Sequence, residues 1–407
     1  MTERVERSKT RVKGFENAEM DFQLLRQLGA CSYGGASVGE CLAVVQCIQD
    51  GIPTSWVKAF SDLAKKVEAD AEERAQKGHQ ISAREQFLRA CNSYRAAEYY
   101  TNFRNPLHRE LGMKSRECFI KSMKLMEHTC ELIEIPFGGS FLPAYFMSPT
   151  AGGGLRKTLM IVSGYDGTME ESYLQGGKAA LQRGYNTLLF AGPGQMDCMR
   201  FHPEMTFRPD FEKPGKAVLD YVVSHPEVDA ERLALLGISF GGYFATRAAA
   251  HEPRIKALIP NSPIIDLHAY MSSFVGFDPA QMPDEEDFGP GDMDQIPNDV
   301  MTVLQKEMIG SMIGRFGRPT FKSTYQYMME FKVGEALRNI TCPCLALLGG
   351  GEGEEPRRQF DAFCEQVSGK VTSHIFTEEE GADSHCQVGN VALSAAVVLD
   401  WLDELFN

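Results

Sequence analysis

Short apolar runs alternate with helical segments from Lys157 onward, and this alternation leaves few folds open. The runs are rich in Leu, Ile and Val and include TLMIVSG, YNTLLFAG, RLALLGIS and IKALIPNSP. Strands of this composition are buried on both faces, as in a parallel sheet that is covered by its crossover helices. The alternation resumes at PCLALLGG and continues to VALSAAVVLDWLDELF. The pattern predicts an α/β core with a mostly parallel central sheet flanked by helices.

Two other stretches precede or interrupt this pattern. From about Asp21 to Glu127 apolar residues recur at three- and four-residue spacing, which indicates amphipathic helices. From about Asp266 to Phe331 the regular pattern lapses, and a segment of that length is rarely structureless in a compact protein. We therefore expect a helical N-terminal or cap domain at 1–129, a core in two parts at 130–265 and 334–407, and a helical lid insertion at 266–333.

The charge of the chain bears on its partners and its location. The net charge is −14, and a surface of that sign repels nucleic-acid phosphates and anionic lipids. We therefore expect no nucleic-acid partner and no membrane partner. The N-terminus, MTERVERSKTRVKG, is charged and lacks the apolar stretch of a signal peptide, and no segment approaches the ~18 apolar residues of a membrane span. These features predict a cytoplasmic protein.

The eleven cysteines show no metal-binding spacing. No CxxC pair occurs, and Cys342-Pro-Cys344 is too tight for an ordinary zinc site, so we expect no metal. Cys118, in the helical segment, is a candidate substrate-binding residue or second nucleophile. Cys386 is also a candidate second nucleophile, because it directly follows His385. A buried, unreactive thiol is the alternative for both residues.

Two Gly-x-Ser-x-Gly strings occur, and their surroundings distinguish them. Ser37 follows no apolar run and precedes a helical segment, where it is expected to be the N-cap in a capping box with Glu40. Ser239 follows RLALL and precedes GGYFATRAAA, which predicts a strand, a sharp turn and a helix. In such a turn the serine adopts a strained backbone conformation and its hydroxyl projects above the sheet. Ser239 is therefore the candidate nucleophile.

The same turn predicts where a negatively charged oxygen would be stabilised. The helix that follows Ser239 directs its free N–H groups toward the hydroxyl, and the Phe240 N–H is one candidate oxyanion donor. A second donor is expected from the turn after the first buried strand, IVSGYDGTMEE, where Gly164 allows close approach and Tyr165 supplies the N–H. Asp166 is a candidate substrate contact in that turn, with a turn-forming role as the alternative.

A serine hydroxyl needs a base and an acid, and in this kind of core they follow the serine along the chain. His385 lies in a polar loop after the last strand, whereas His374 lies within a strand that fixes its direction. His385 is therefore the candidate base. For the acid we choose Glu352, just after the strand PCLALLGG, over Glu354, with Asp383 as second choice.

With these residues placed, the chain resembles the α/β hydrolases that include 2,6-dihydropseudooxynicotine hydrolase and the hydrolytic polyketide-shortening (heptaketide) hydrolases. The motifs that carry the resemblance are SGYDGTMEES, FAGPGQMDCMRF, LALLGISFGGYFATRAAA and GADSHCQVGN. The resemblance implies the α/β-hydrolase fold with a helical N-terminal domain over the site, a Ser239–Glu352–His385 triad, no metal or other cofactor, and a homodimer. Two departures are the glutamate at an acid position where the family has aspartate, and Met196-Asp197 after Gln195, which we expect to alter the substrate.

The resemblance also implies a reaction. Such enzymes cleave carbon–carbon bonds beside ketones as well as esters, so the expected substrate is an apolar, polyketide-like β-dicarbonyl that is cleaved through an acyl-enzyme. A simple carboxylesterase, lactonase or acyl-transfer enzyme would use the same triad. From another class, an inactive scaffold of the same fold is the remaining alternative.

Overall fold

The computed structural model describes residues 7–150 and 153–407. These residues group into two compact units. The core unit contains residues 7–10, 127–277 and 328–407, and the helical unit contains residues 11–126 and 278–327. The interruption of the α/β pattern therefore groups largely with the N-terminal helices, and its role as a lid stays a prediction.

The core unit is built on one twisted sheet with the strand order β1-β2-β4-β3-β5-β6-β7-β8. Strand β2 pairs antiparallel with β1 and with β4, and the other neighbouring pairs are parallel. The predicted mostly parallel sheet is thus confirmed. The strands are β1 Glu131–Phe137, β2 Ser140–Met147, β3 Arg156–Val162, β4 Asn186–Phe190, β5 Val228–Ile238, β6 Ala257–Asn261, β7 Cys344–Gly349 and β8 Val371–Phe376.

Helices flank the sheet and form most of the helical unit. In chain order they are α1 Ala18–Gly29, α2 Val38–Val45, α3 Pro53–Gln76, α4 Gln80–Tyr99, α5 Pro106–Met123, α6 Met169–Ser172, α7 Lys178–Gln182, α8 Met196–Phe201, α9 Glu212–Ser224, α10 Gly241–Ala249, α11 Leu267–Val275, α12 Val303–Arg315, α13 Phe321–Met328, α14 Glu354–Gln366 and α15 Val391–Leu405. None of these helices combines the length and the apolar composition that crossing a membrane requires.

The helical unit packs α3 and α4 around a large aromatic side chain. Trp56 is almost fully buried, and its indole N–H donates to the Ala96 carbonyl at 2.9 Å. Helix α3 begins at Pro53, where the missing N–H costs no helical hydrogen bond. Ser37 is the N-cap of α2, as predicted, but its side chain makes no capping hydrogen bond, so the predicted capping box with Glu40 is wrong.

The carboxyl ends of the parallel strands position the candidate site. The central strands are buried along most of their length, as the apolar runs predicted. Because parallel strands end at the same edge of a sheet, the turns after β3, β5 and β7 and the loop after β8 emerge together. These four connections carry Gly164, Ser239, Glu352 and His385.

Candidate active site

The turn between β5 and α10 holds Ser239 in an uncommon backbone conformation. Ser239 has a φ of +61°, which lies in the left-handed region that residues other than glycine seldom adopt. A side chain at Gly237 would come within 2.1 Å of the Gly241 carbonyl oxygen, and one at Gly241 within 2.3 Å of the Val162 oxygen. The Ser239 N–H donates to the Asn261 carbonyl at 2.5 Å. The two glycines and this hydrogen bond therefore fix the turn.

A chain of hydrogen bonds runs from Ser239 to His385 and on to Glu352. The Ser239 Oγ lies 2.8 Å from His385 Nε2, and His385 Nδ1 lies 2.5 Å from Glu352 Oε2. A proton on Nδ1, held by the carboxylate, leaves Nε2 free to accept the proton of the serine hydroxyl. Glu352 is 2% exposed and His385 9% exposed, so little water competes for these bonds.

Two further donors hold the Glu352 carboxylate in place. The Gly349 N–H donates to Oε1 at 2.9 Å, and the Ser262 hydroxyl donates to Oε2 at 3.3 Å. Ser262 is almost fully buried directly after β6. The sequence interpretation missed Ser262, although a polar residue at the carboxyl end of a buried strand was the available signal.

Opposing influences act on the pKa of His385. Burial lowers this pKa, whereas Cys386 and the Glu352 carboxylate raise it and outweigh burial, so the pKa lies above its ordinary value. Cys386 donates a hydrogen bond from its thiol to the Asn261 carbonyl at 3.4 Å. The Glu352 carboxylate contacts Nδ1 of the ring directly and stabilises the imidazolium form of His385.

The other candidate acids and the other late histidine have different surroundings. Glu354 is exposed at the start of α14. Asp383 is 1% exposed, but its carboxylate accepts hydrogen bonds from the backbone N–H groups of Lys9 and Thr10. His374 lies in β8 with its Nε2 3.9 Å from Glu380 Oε1. Of the three candidate acids, it is Glu352 that contacts His385.

The turn after β3 packs directly against the Ser239 turn. A side chain at Gly164 would lie 2.7 Å from Ser239 Cβ and 2.8 Å from the Phe240 nitrogen, so the approach requires glycine. The two predicted oxyanion donors, the N–H groups of Phe240 and Tyr165, belong to these two turns. The Tyr165 ring stacks on Phe207 with centroids 5.6 Å apart, and Asp166 is half-buried beside it.

A buried glutamine ties the turn after β3 to the turn after β4. The Gln195 side chain donates to the Ser163 carbonyl at 2.6 Å and to the Gly164 carbonyl at 3.4 Å, and it accepts from the Gly192 N–H at 2.6 Å. Gln195 is fully buried. The motif FAGPGQ was noted only as part of the family resemblance, so this positioning contact was missed.

Asp197, two residues further on, belongs to a buried ionic cluster. It accepts from the Met169 N–H at 2.9 Å and pairs with Arg200 at 2.9 Å, and Arg200 also contacts Glu170 at 3.2 Å. Burial and the Glu170 carboxylate raise the pKa of Asp197. Burial alone would raise the pKa of Glu170 as well, but Arg200 and a hydrogen bond from Tyr145 lower it. Asp197 is therefore engaged in the interior, and an effect of Met196-Asp197 on the substrate stays a prediction.

The two cysteines considered as nucleophiles are both buried thiols. Cys118 lies in α5 of the helical unit with no exposed surface, and burial raises its pKa well above the ordinary value. This shift disfavours the thiolate that a nucleophile needs. Cys386 is 6% exposed. Among residues 7–150 and 153–407, no group of three or more His, Cys, Asp or Glu side chains could hold a metal ion.

Comparison with known sequences identifies relatives over nearly the whole chain. Residues 215–288, which include the Ser239 turn, match the prolyl oligopeptidase family. Hydrolase LUC6 of Fusarium sp is 31% identical, over 96% of this chain and 97% of that protein. Alpha/beta hydrolase xenA of Xenoacremonium sinensis is 30% identical, over 95% and 96%. The 20-hydroxy-prefusarin hydrolase FUS2 of Gibberella moniliformis is 37% identical, over 63% of each chain.

Solved structures share the fold at lower sequence identity. The 2,6-dihydroxy-pseudo-oxynicotine hydrolase has a TM-score of 0.71 at 22% identity, covering 92% of this chain and 94% of its own. Wild-type AbyA5 has a TM-score of 0.60 at 16% identity, covering 96% and 99%. Their similarity extends to the helical N-terminal region as well as the sheet, because coverage is nearly complete in both directions.

Proposed function

This chain belongs to the α/β-hydrolase family and is a hydrolase, and from that premise we propose that it works through Ser239, His385 and Glu352. The observation that carries the proposal is the hydrogen-bond chain of 2.8 Å and 2.5 Å that joins the three side chains. Nucleophile, base and acid in this geometry are the arrangement by which a serine hydroxyl is activated. The buried carboxylate and the strained serine support the same assignment.

The first half-reaction forms an acyl-enzyme. Ser239 Oγ attacks the substrate carbonyl carbon while His385 Nε2 takes the hydroxyl proton, and Glu352 stabilises the imidazolium that results. The carbonyl oxygen becomes an oxyanion, which accepts hydrogen bonds from the N–H groups of Phe240 and Tyr165. When the tetrahedral intermediate collapses, the bond to the leaving group breaks and His385 returns the proton to that group.

The leaving group decides between cleavage of a carbon–carbon bond and cleavage of an ester. In a β-dicarbonyl substrate the departing carbon is an enolate, which the second carbonyl stabilises and His385 protonates to a ketone. In an ester the departing group is an alkoxide, which the same proton converts to an alcohol. Water then attacks the acyl-enzyme with His385 as the base, which releases a carboxylic acid and restores Ser239.

We propose the β-dicarbonyl reaction on an apolar, polyketide-like substrate as the physiological one. The name of FUS2 gives hydrolysis of 20-hydroxy-prefusarin as the reaction of a relative, and this supports an active enzyme over an inactive scaffold. The family resemblance carried by SGYDGTMEES and FAGPGQMDCMRF supports an apolar ligand of this class. The homodimer that the family resemblance implies and the cytoplasmic location expected from the sequence complete the proposal.

Replacing the nucleophile tests this assignment. In Ser239→Ala we expect kcat to fall about 10³- to 10⁶-fold with the fold retained, because the residual rate comes from binding and the oxyanion donors alone. Ser37→Ala is the matched control, since Ser37 occupies the same Gly-x-Ser-x-Gly pattern at the start of α2. Labelling by a fluorophosphonate probe, mapped by mass spectrometry, should modify Ser239 in the wild type and in Ser37→Ala, and should be lost in Ser239→Ala. Activity retained in Ser239→Ala would refute the triad.

Product analysis distinguishes the reactions that one triad could perform. The wild type is incubated with an aryl β-diketone, an aryl ester, a lactone and a proline-containing peptide, each with and without a thiol or alcohol acceptor. Diketone cleavage to an acid and a ketone supports our proposal. Turnover of the ester or lactone alone supports a simple esterase, and acyl products with the acceptor support acyl transfer. No turnover and no labelling of Ser239 would support the scaffold.

A further inference from the structure

A short segment near the N-terminus lies against the loop that carries His385. We call residues 7–10 the N-terminal strap. The Asp383 carboxylate accepts hydrogen bonds from the Lys9 N–H at 2.7 Å, the Thr10 N–H at 3.2 Å and the Thr10 hydroxyl at 2.5 Å. The Ser8 hydroxyl lies 3.4 Å from the same carboxylate. Asp383 is 1% exposed, so these bonds replace the water that a carboxylate would otherwise bind.

The strap also bonds His385 itself. The His385 N–H donates to the Arg7 carbonyl at 2.8 Å. Asp383 and His385 are two residues apart, so the strap holds the loop on both sides of Ser384. Just beyond, Cys386 and Gln387 have φ values of +55° and +52°. Backbone of this kind persists where the surrounding contacts enforce it.

The loop held by the strap packs directly on the turn that carries Glu352. The Gly351 N–H donates to the Asp383 carbonyl at 2.9 Å. A side chain at Gly349 would come within 2.4 Å of the Asp383 carbonyl oxygen, and one at Gly351 within 2.6 Å of Asp383 Oδ2 and 3.1 Å of the Lys9 nitrogen. The glycines at 349 and 351 thus bring the two loops into backbone contact, with the strap at the same place.

We propose that the N-terminal strap, anchored by Asp383, is a positioning element that holds His385 and Glu352 in register with Ser239. The inference rests on the proposed function for its catalytic consequence. A displacement of the imidazole by about 1 Å is enough to cost on the order of 10²-fold in rate, and His385 lies on a loop that the sheet does not fix directly. The strap supplies that fixation from the opposite end of the sequence.

If the strap only stabilised the fold, its loss would lower the free energy of unfolding without changing the reaction of the folded enzyme. If the strap positions the catalytic side chains, its loss lowers kcat and leaves KM almost unchanged, because substrate binding does not use the strap. Loss of the strap also affects the proton between His385 Nδ1 and Glu352 Oε2, which at 2.5 Å should give a proton resonance far downfield of the amide region. These two readouts separate positioning from simple stabilisation.

The test uses the unaltered protein, a deletion of residues 1–10 and four substitutions, one of which is a control. Asp383→Asn and Thr10→Val remove bonds between the strap and the loop, whereas Thr10→Ser keeps the hydroxyl and is the conservative rescue. Glu379→Gln is the matched control, because it neutralises an exposed carboxylate on the same connection. We measure kcat and KM on an aryl ester, the rate of fluorophosphonate labelling of Ser239 and the downfield resonance.

We expect the deletion and Asp383→Asn to lower kcat and the labelling rate about 10- to 100-fold with KM within about threefold, and to weaken the downfield signal. We expect Thr10→Val to lower kcat less than the deletion does, and Thr10→Ser to keep the wild-type kcat. These two variants keep the proposal testable if the deletion or Asp383→Asn prevents folding. Wild-type kcat and an intact resonance in the deletion or in Asp383→Asn would overturn it. If the wild type fails to label at Ser239, the proposed function is refuted instead. The downfield resonance would then still test whether the strap positions His385 against Glu352.

Discussion

At the scale of single residues, the contact between Glu352 and His385 controls how the site responds to pH. In the proposed mechanism His385 accepts a proton from Ser239 only when its imidazole is neutral, so we expect activity to be lost as the pH falls through the pKa of His385. The Glu352 carboxylate raises that pKa by stabilising the imidazolium. The acid limb of the pH profile should therefore lie above pH 6.5 in the wild type, and it should move when the carboxylate is removed.

Glu352→Gln tests this dependence. We expect kcat to fall about 10²- to 10⁴-fold because the amide no longer stabilises the imidazolium, and the remaining activity should have its acid limb at lower pH. The measurement is kcat/KM for an aryl ester as a function of pH, which reports the free enzyme. Glu354→Gln, at the exposed start of α14, should resemble the wild type. An unchanged limb in Glu352→Gln would show that the acid lies elsewhere.

Single residues also show what the sequence could and could not predict. The sequence was enough to choose Ser239 as the candidate nucleophile, because an apolar run, two glycines and a helix surround it. It was also enough to choose His385 as the candidate base, because His385 lies in a polar loop after the last strand. Glu352 was separable from Glu354 only by its distance from the end of β7. The contacts of Asp383 with Lys9 and Thr10 had no signal, since these residues are more than 370 positions apart and follow no periodic pattern.

At the scale of secondary-structure elements, the turn after β3 depends on the segment that begins α8. Gln195 bonds the Ser163 and Gly164 carbonyls, Asp197 bonds the Met169 N–H and Arg200 pairs with Glu170. Three successive contacts thus attach one short segment to both ends of the turn that carries the Tyr165 N–H. The precision of that proposed oxyanion donor depends on an element that need not touch the substrate.

Gln195→Ala measures this dependence. Loss of the side chain leaves a buried N–H and a buried carbonyl without a partner, which costs about 1–3 kcal/mol of stability, and the loosened turn should lower kcat about 10- to 100-fold. Gln359→Ala is the matched control, because Gln359 is also fully buried and bonds the backbone of Ile265 and Asp266. Urea unfolding should show both variants destabilised, with kcat reduced in Gln195→Ala alone. Equal kcat in the two variants would contradict the assignment.

At the scale of the whole molecule, the α/β core was predictable and the grouping of the helical segments was not. Apolar runs of five to eight residues report burial on both faces, which a parallel sheet requires, and the order of the strands follows a known pattern. Residues 278–327 fall into the helical unit with residues 11–126, although residues 127–277 of the core unit lie between them in the sequence. Such a grouping depends on contacts between surfaces whose partners the local pattern does not specify.

The net charge of −14 sets an expectation for the whole molecule as well. Because like charges repel and salt screens them within about 8 Å at 0.15 M, we expect no cosedimentation with phosphatidylserine vesicles and no retention on heparin at that ionic strength. Sedimentation with neutral phosphatidylcholine vesicles is the control for apolar attachment. Binding to the anionic vesicles that disappears in high salt would reveal a basic surface and contradict the expectation.

The Asn261 carbonyl accepts both the Ser239 N–H and the Cys386 thiol. A group attached to the Cys386 sulfur would therefore lie next to the carbonyl that anchors the Ser239 turn. Cys386 is 6% exposed, so we expect iodoacetamide to modify it slowly. Any inactivation that follows such a modification would have its cause in the displaced turn, and an inhibitor screen that scored it as proof of a catalytic sulfur would assign the wrong chemistry.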